Sequence, residues 1–117
     1  MSDGFVSAIT PPRTPITQTL ASHSRLNKEW NERMVYAITM AESSGNPKAY
    51  NPEWHFDRKG NKICQGSFGK WQLACLHGKI EDLYDPVKST AIAYKLWKTS
   101  GFYPWTTFTS GKYLKYY

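Results

Sequence analysis

Ser24–Pro47 reads SRLNKEWNERMVYAITMAESSGNP, and its periodicity decides the architecture. Leu26, Trp30, Met34 and Ile38 recur every four residues, with Ala37 and Ala41 beside them. Residues four apart share one face of an α-helix, so these side chains form an apolar stripe that a core must cover. Ser24 is a suitable N-cap and Gly45-Asn46-Pro47 a stop, which predicts one helix from about Ser24 to Ser44. One step of four beyond Ile38 the stripe reaches Glu42. A carboxylate is thereby set on the buried side of the last helical turn.

That position suits acid chemistry. A general acid for glycoside cleavage must hold its proton near neutral pH. Burial disfavours the charged form, and so does the negative end of a helix dipole. Ile38, Thr39 and Gly45, the neighbours on the helix surface, are all uncharged. An apolar pocket can raise a glutamate to about 6. The bland alternative is an exposed glutamate near a helix end with no role, and periodicity alone leaves both open.

Downstream, Tyr50 to Leu73 lacks helical periodicity. Asp57-Arg58-Lys59-Gly60-Asn61 has the composition of a hairpin tip, with Trp54 and Phe56 before it and Ile63 after. Gly66-Ser67-Phe68-Gly69 and Lys70-Trp71-Gln72-Leu73 follow. Two glycines three apart permit a tight path that brings Ser67 and Gln72 near another element. Asp85-Pro86 opens a second helix, with a cap followed by proline at the first helical position. Val87, Ala91, Tyr94 and Trp97 are its expected apolar face, helped by Ile92 and Leu96, and Gly101 ends it. The remainder, Phe102 to Tyr117, is aromatic.

Ala41-Glu42-Ser43-Ser44-Gly45-Asn46-Pro47, followed by Gly66-Ser67-Phe68-Gly69-Lys70-Trp71-Gln72-Leu73, resembles the soluble lytic transglycosylase and lysozyme-like superfamily. In that superfamily a helix ends in a Glu-Ser motif whose glutamate is catalytic, and a Gly-Ser-x-Gly…Gln motif lines the cleft. Leu83-Tyr84-Asp85-Pro86 is similar to the family's lead into its next helix, and the run Trp105 to Tyr113 to the ending of small phage and actinobacterial members. The similarity spans about residues 30 to 115. It implies a lysozyme-like α+β fold, mainly α with a small β-hairpin, and cleavage of the N-acetylmuramic acid–N-acetylglucosamine β-1,4 bond of peptidoglycan. Glu42 is then the catalytic acid and base, and Ser67 and Gln72 are substrate-binding or glutamate-steadying residues. Tyr94 is a cleft aromatic or, equally, a core residue. The family's Ala-Tyr-Asn-Ala-Gly motif is missing, and Trp105 to Gly111 stands in its place.

Hydrolysis by two carboxylates needs them roughly 5–5.5 Å apart with retention, or 6.5–9.5 Å with inversion. Glu29 and Glu32 lie turns away from Glu42, Asp85 is a cap, and Glu81 and Asp82 sit in a polar connection. Glu53 and Asp57 remain, with Asp57 better explained as a turn residue. A single carboxylate favours the family's lytic route, in which the 6-hydroxyl of the muramic acid attacks its own anomeric carbon. The alternative is a hydrolase with Asp57 as second carboxylate.

Cys64 and Cys75 bracket the second motif, and a disulfide between them is expected in an oxidising setting. Two free thiols, or a zinc site with His55 and His77, are the other readings, and the spacing fits no standard zinc knuckle. The chemistry needs no metal and no cofactor.

With 15 Lys and Arg against 9 Asp and Glu, the net charge is +6. Such a surface suits an anionic wall. Neither the basic residues nor the motifs point to nucleic acid, and no segment approaches the roughly 18 apolar residues of a membrane span. The first stretch, residues 1–23, is rich in Thr, Ser and Pro and reads as an arm, with the catalytic domain over 24–117. Its N-terminus does not read as a signal peptide. These features lead to the expectation of a bacteriophage enzyme made in the host cytoplasm. It would be virion-associated, docking on tail or baseplate proteins through residues 1–23, or released to the wall at lysis. A structural or wall-binding virion protein without activity is the rival from another class.

Overall fold

The helix that carries the decisive stripe, α1, spans Glu32–Ser43 and is shorter than its periodicity predicts. Asn31 caps it, its Oδ1 accepting from the Met34 N–H at 2.9 Å. Residues 23–26 form a separate helical turn, with Ser24 inside it. The expected continuous helix breaks because distant groups claim Asn27. Its carbonyl accepts from Trp97 Nε1 at 3.0 Å, and its Oδ1 accepts from the Phe102 N–H at 2.7 Å. Leu26 is nevertheless buried and Trp30 half-buried, so the stripe faces one core across the break. The stop falls as expected. Ser44 (φ 57°) and Gly45 (φ 75°) are both left-handed, and their N–H groups close on Met40 and Thr39.

The computed structural model describes residues 23–117, so the expected arm, apart from His23, lies outside the described residues. His23 packs on the domain, its ring 5.0 Å from Phe108 and 5.3 Å from Tyr113.

After α1 come the antiparallel strands β1 (Tyr50–Phe56) and β2 (Lys62–Phe68), then β3 (Leu73–Ala74), in sheet order β1-β2-β3. Asp57 turns the hairpin, its Oδ1 accepting from the N–H groups of Lys59 (2.8 Å) and Asn61 (2.9 Å). Gly69 has φ 78°, and a Cβ there would overlap the Leu83 carbonyl, so the second motif runs hard against the helical layer. A disulfide joins Cys64 on β2 to Cys75 on a 3₁₀ turn, Cys75–His77, with Cα atoms 6.1 Å apart. Neither sulfur is left as a thiolate ligand for zinc. Closing a loop of this size stabilises a fold by about 3 kcal/mol in the chain-entropy picture.

The helical layer continues with α2 (Ile80–Tyr84), α3 (Pro86–Ser100), α4 (Thr106–Thr109) and a 3₁₀ turn, Lys112–Tyr116. Asp85 caps α3 as expected, and its bonds to the Val87 and Lys88 N–H groups hold its carboxyl below the usual range. The buried face of α3 is not the expected one. Ser89 and Ala93 face the core, with Ile92, Leu96 and Trp97 half-buried, while Val87, Ala91 and Tyr94 are exposed. Small residues let the helix approach Trp71 closely enough for its Nε1 to reach Thr90 Oγ1 at 2.9 Å. A bulky Val87–Tyr94 face would hold it off.

Trp71 is the centre of the core, fully buried and stacked on Trp30 at 5.3 Å, and Phe102 also stacks on Trp30 at 5.9 Å. Burying one Trp removes about 200 Å² from water, an upper value of roughly 5 kcal/mol. The Trp71 carbonyl also accepts from Trp105 Nε1 at 2.9 Å. The architecture is α+β, mainly helical, with a small antiparallel sheet at one side. Among the described residues no helix is long and apolar enough to cross a membrane.

Candidate active site

Glu42 leaves the last turn of α1 half-buried and opens into a cleft of about 420 Å³. The sheet supplies one wall with Asn51, Glu53, His55 and Ser67. The other is formed by Leu96, Pro104, Trp105 and Thr106, while Gln72 to Ala74 and His77 complete the lining. Side-chain bonds to backbone carbonyls fix the segments that build it. The Ser43 hydroxyl donates to the Lys70 carbonyl at 2.8 Å. Gln72, held at φ 49°, donates through Nε2 to the carbonyls of Gly69 (2.9 Å) and Ala49 (3.3 Å). The end of the acid-bearing helix is thereby fastened to the glycine-rich segment.

Burial raises the carboxyl of Glu42 above its ordinary pKa. Thr107 opposes this, with its hydroxyl 2.7 Å from Oε2 and a bond from its backbone N–H. The negative charge of Glu53 adds to the rise, and the positive charge of Lys112 subtracts from it. The local neighbours on α1 are uncharged, as the sequence indicates, but the chain's end brings a lysine near. Thr107 is positioned by buried tail aromatics: Trp105, Phe108 and Tyr113 lie in the core. The Arg33 guanidinium, 3.9 Å from the Tyr117 ring, clasps the last residue to α1.

Opposite Glu42 runs a second hydrogen-bonded set. Ser67 is buried, and its hydroxyl donates to Glu53 Oε2 at 2.8 Å. His55 Nε2 lies 3.1 Å from both Ser67 Oγ and the Gly66 carbonyl. A carbonyl can only accept and the serine proton points to Glu53, so Nε2 carries the histidine's proton and donates. The order is His55 to Ser67 to Glu53. It orients the Glu53 side chain. Burial, with a smaller effect of His55, lowers the pKa of His77 nearby.

Of the residues the sequence singled out, Glu42, Ser67 and Gln72 share this cleft. Tyr94 does not. It is 40% exposed on another face of α3 and packs edge-on against Trp30 at 5.2 Å. Nor does Asp57, which stays at the hairpin tip with its Oδ1 spent on turn N–H groups. The acid that shares the cleft with Glu42 is Glu53. Sequence reading kept Glu53 only as a remaining acid and His55 only as a possible zinc ligand, and it did not single out Thr107 or Lys112. For two of them a signal exists. Asn51, Glu53 and His55 alternate with Tyr50, Pro52, Trp54 and Phe56, so a period of two puts the polar set on one side of β1. Thr107 and Lys112 have none.

A carboxyl raised in pKa and a serine-bonded carboxyl thus line one cleft. Such a pair is equipped for acid–base chemistry on an acetal. No curated protein and no solved structure matches this chain. A lysozyme-like domain matches residues 27–107, from the Asn27 anchor to the threonine that holds Glu42. That class points to cleavage of peptidoglycan in general. On that match, the chain belongs to the lysozyme-like domain family.

Proposed function

We propose that the protein is a muramidase that cleaves the β-1,4 bond between N-acetylmuramic acid and N-acetylglucosamine, with Glu42 as general acid. The observation that carries this reading is the half-buried Glu42 carboxyl, raised in pKa and held by Thr107 in a cleft shared with Glu53. Protonated Glu42 gives its proton to the glycosidic oxygen, and the C1–O bond breaks. Positive charge develops on the muramic acid ring. Glu53, whose Oε2 accepts from the Ser67 hydroxyl, lines the same cleft and can offset that charge. Glu42, now a carboxylate, takes the proton of the attacking nucleophile and is ready for another turn.

We assign water as the nucleophile. Glu53, lining the same cleft as Glu42, supports this reading as the second carboxylate that hydrolysis uses. Lytic transglycosylation is the second reading, supported by the likeness of the Glu42–Pro47 and Gly66–Leu73 motifs to that family. In it the muramic acid 6-hydroxyl attacks C1, and its proton goes to Glu42. The net charge of +6 supports attraction to an anionic wall in either case.

Digestion of purified peptidoglycan by wild type and by Glu42→Gln, with mass spectrometry of the fragments, tests both points. Reducing ends with the wild type and no fragments with the variant are expected. Anhydro ends, lighter by one water, would replace hydrolysis by the lytic route. Equal digestion by both proteins would overturn the role of Glu42.

A further inference from the structure

A second groove lies on the face of α3 that the core leaves uncovered. Val87, Ala91 and Tyr94 fall at helical spacing along that face, and Val87 is 79% exposed. The stripe ends in a concavity of about 350 Å³ lined by Asn27, Lys28, Tyr94, Trp97, Lys98 and Gly101. It shares no residue with the Glu42 cleft.

Its chemistry is particular. Tyr94 and Trp97 stack at 5.6 Å with their planes 25° apart, and Trp30 holds Tyr94 from beneath, edge-on at 5.2 Å. Trp97 is fixed further by its Nε1 bond to the Asn27 carbonyl. The aromatic pair is therefore braced before any ligand arrives. Lys28 and Lys98 flank it, with Lys98 Nζ 5.7 Å from the Tyr94 ring centre. Among the described residues no acidic side chain lines the groove, and the ion pairs involve neither lysine. A rigid aromatic face suits the C–H surface of a sugar ring, and two lysines suit a carboxylate attached to it.

We propose that this groove is a second glycan-binding site, taking an N-acetylmuramic acid unit of a peptidoglycan strand. The sugar ring lies on Tyr94 and Trp97, and its lactyl or stem-peptide carboxylate lies between Lys28 and Lys98. The proposal rests on the muramidase reading for the identity of the polymer but not on catalysis. The enzyme holds one strand of the wall here while the Glu42 cleft works on another. This gives Tyr94, whose place outside the cleft leaves it without a part in the reaction, a role in retaining the enzyme on insoluble wall.

The test uses full-length protein carrying Glu42→Gln, so that binding is measured without digestion. Purified sacculi are the probe, and chitin, which has the same sugar backbone without carboxylates, is the comparison. Lys28→Gln/Lys98→Gln, which leaves the aromatic packing intact, should bind sacculi about tenfold more weakly, and Tyr94→Ala at least as weakly. Chitin should bind more weakly than sacculi and be insensitive to the lysine pair. In the Glu42-intact background, Tyr94→Ala should keep wild-type activity on short soluble glycans and lose activity on sacculi. Undiminished sacculus binding by both variants would overturn the site. So would equal loss of activity on soluble and insoluble substrate by a folded Tyr94→Ala protein. Failure of the muramidase reading would show instead as an absence of wall cleavage by the wild type, whatever the binding.

Discussion

The two carboxyls of the cleft sit in different surroundings. Glu42 comes from the end of a buried helix and is backed by an aromatic tail, so desolvation raises its pKa. Glu53 comes from an exposed strand, and its Oε2 accepts from the Ser67 hydroxyl. The difference comes from secondary structure: a helix end carries its last side chain into the core, whereas a strand at the sheet edge lays alternate side chains against solvent.

The largest break in that contrast is loss of the acid itself. Glu42→Gln should lower kcat by a factor on the order of 10²–10⁴, the usual worth of a positioned general acid, in an assay on soluble glycan. The same variant should not lose stability. A raised folded-state pKa means that ionised Glu42 works against the fold once pH passes its unfolded value. Glu42→Gln should therefore melt above the wild type near pH 7, with the gap closing towards about pH 4. A lower melting temperature at neutral pH would show that Glu42 contributes to folding.

Removing the opposite charge is next in size. Glu53→Gln should reduce hydrolysis about 100-fold through lost stabilisation of the cationic ring. An unchanged rate, with anhydro products, would leave Glu53 outside the chemistry. Thr107→Val removes the bond that orients Glu42 and should lower kcat roughly tenfold. It should also move the alkaline limb of the pH–rate profile to higher pH, because the lost bond had favoured ionised Glu42. A limb that moved to lower pH would contradict this. The smallest effect is expected from Lys112→Ala, a shift of the same limb in the same direction with kcat nearly unchanged, shrinking as salt screens the charge.

Much of this was legible in the sequence, and the limits have physical causes. The stripe ending at Glu42, the Asp57–Asn61 turn and the Asp85-Pro86 cap are local patterns, and local patterns are set by neighbours in the chain. The break at Asn27 is not local: its N–H still bonds back to the His23 carbonyl, but Trp97 takes its carbonyl and Phe102 its side chain from far along the chain. The face of α3 was ambiguous for a different reason. Apolar side chains occur around most of its circumference, and packing against Trp71 chose the small Ser89–Ala93 side. Thr107 reaches Glu42 across 65 positions. Only the folded tail brings them together.

The most direct test is the pH dependence of kcat/KM on a soluble glycan, for the wild type and for Glu53→Gln. This quantity reports the titration of the free enzyme. With Glu42 as the acid, activity should persist above the ordinary glutamate pKa and fall as Glu42 ionises. Because the charge of Glu53 raises that pKa, the alkaline limb should move to lower pH in Glu53→Gln. A wild-type limb at the ordinary glutamate value, unmoved by the substitution, would contradict a proton-holding Glu42 facing a charged Glu53.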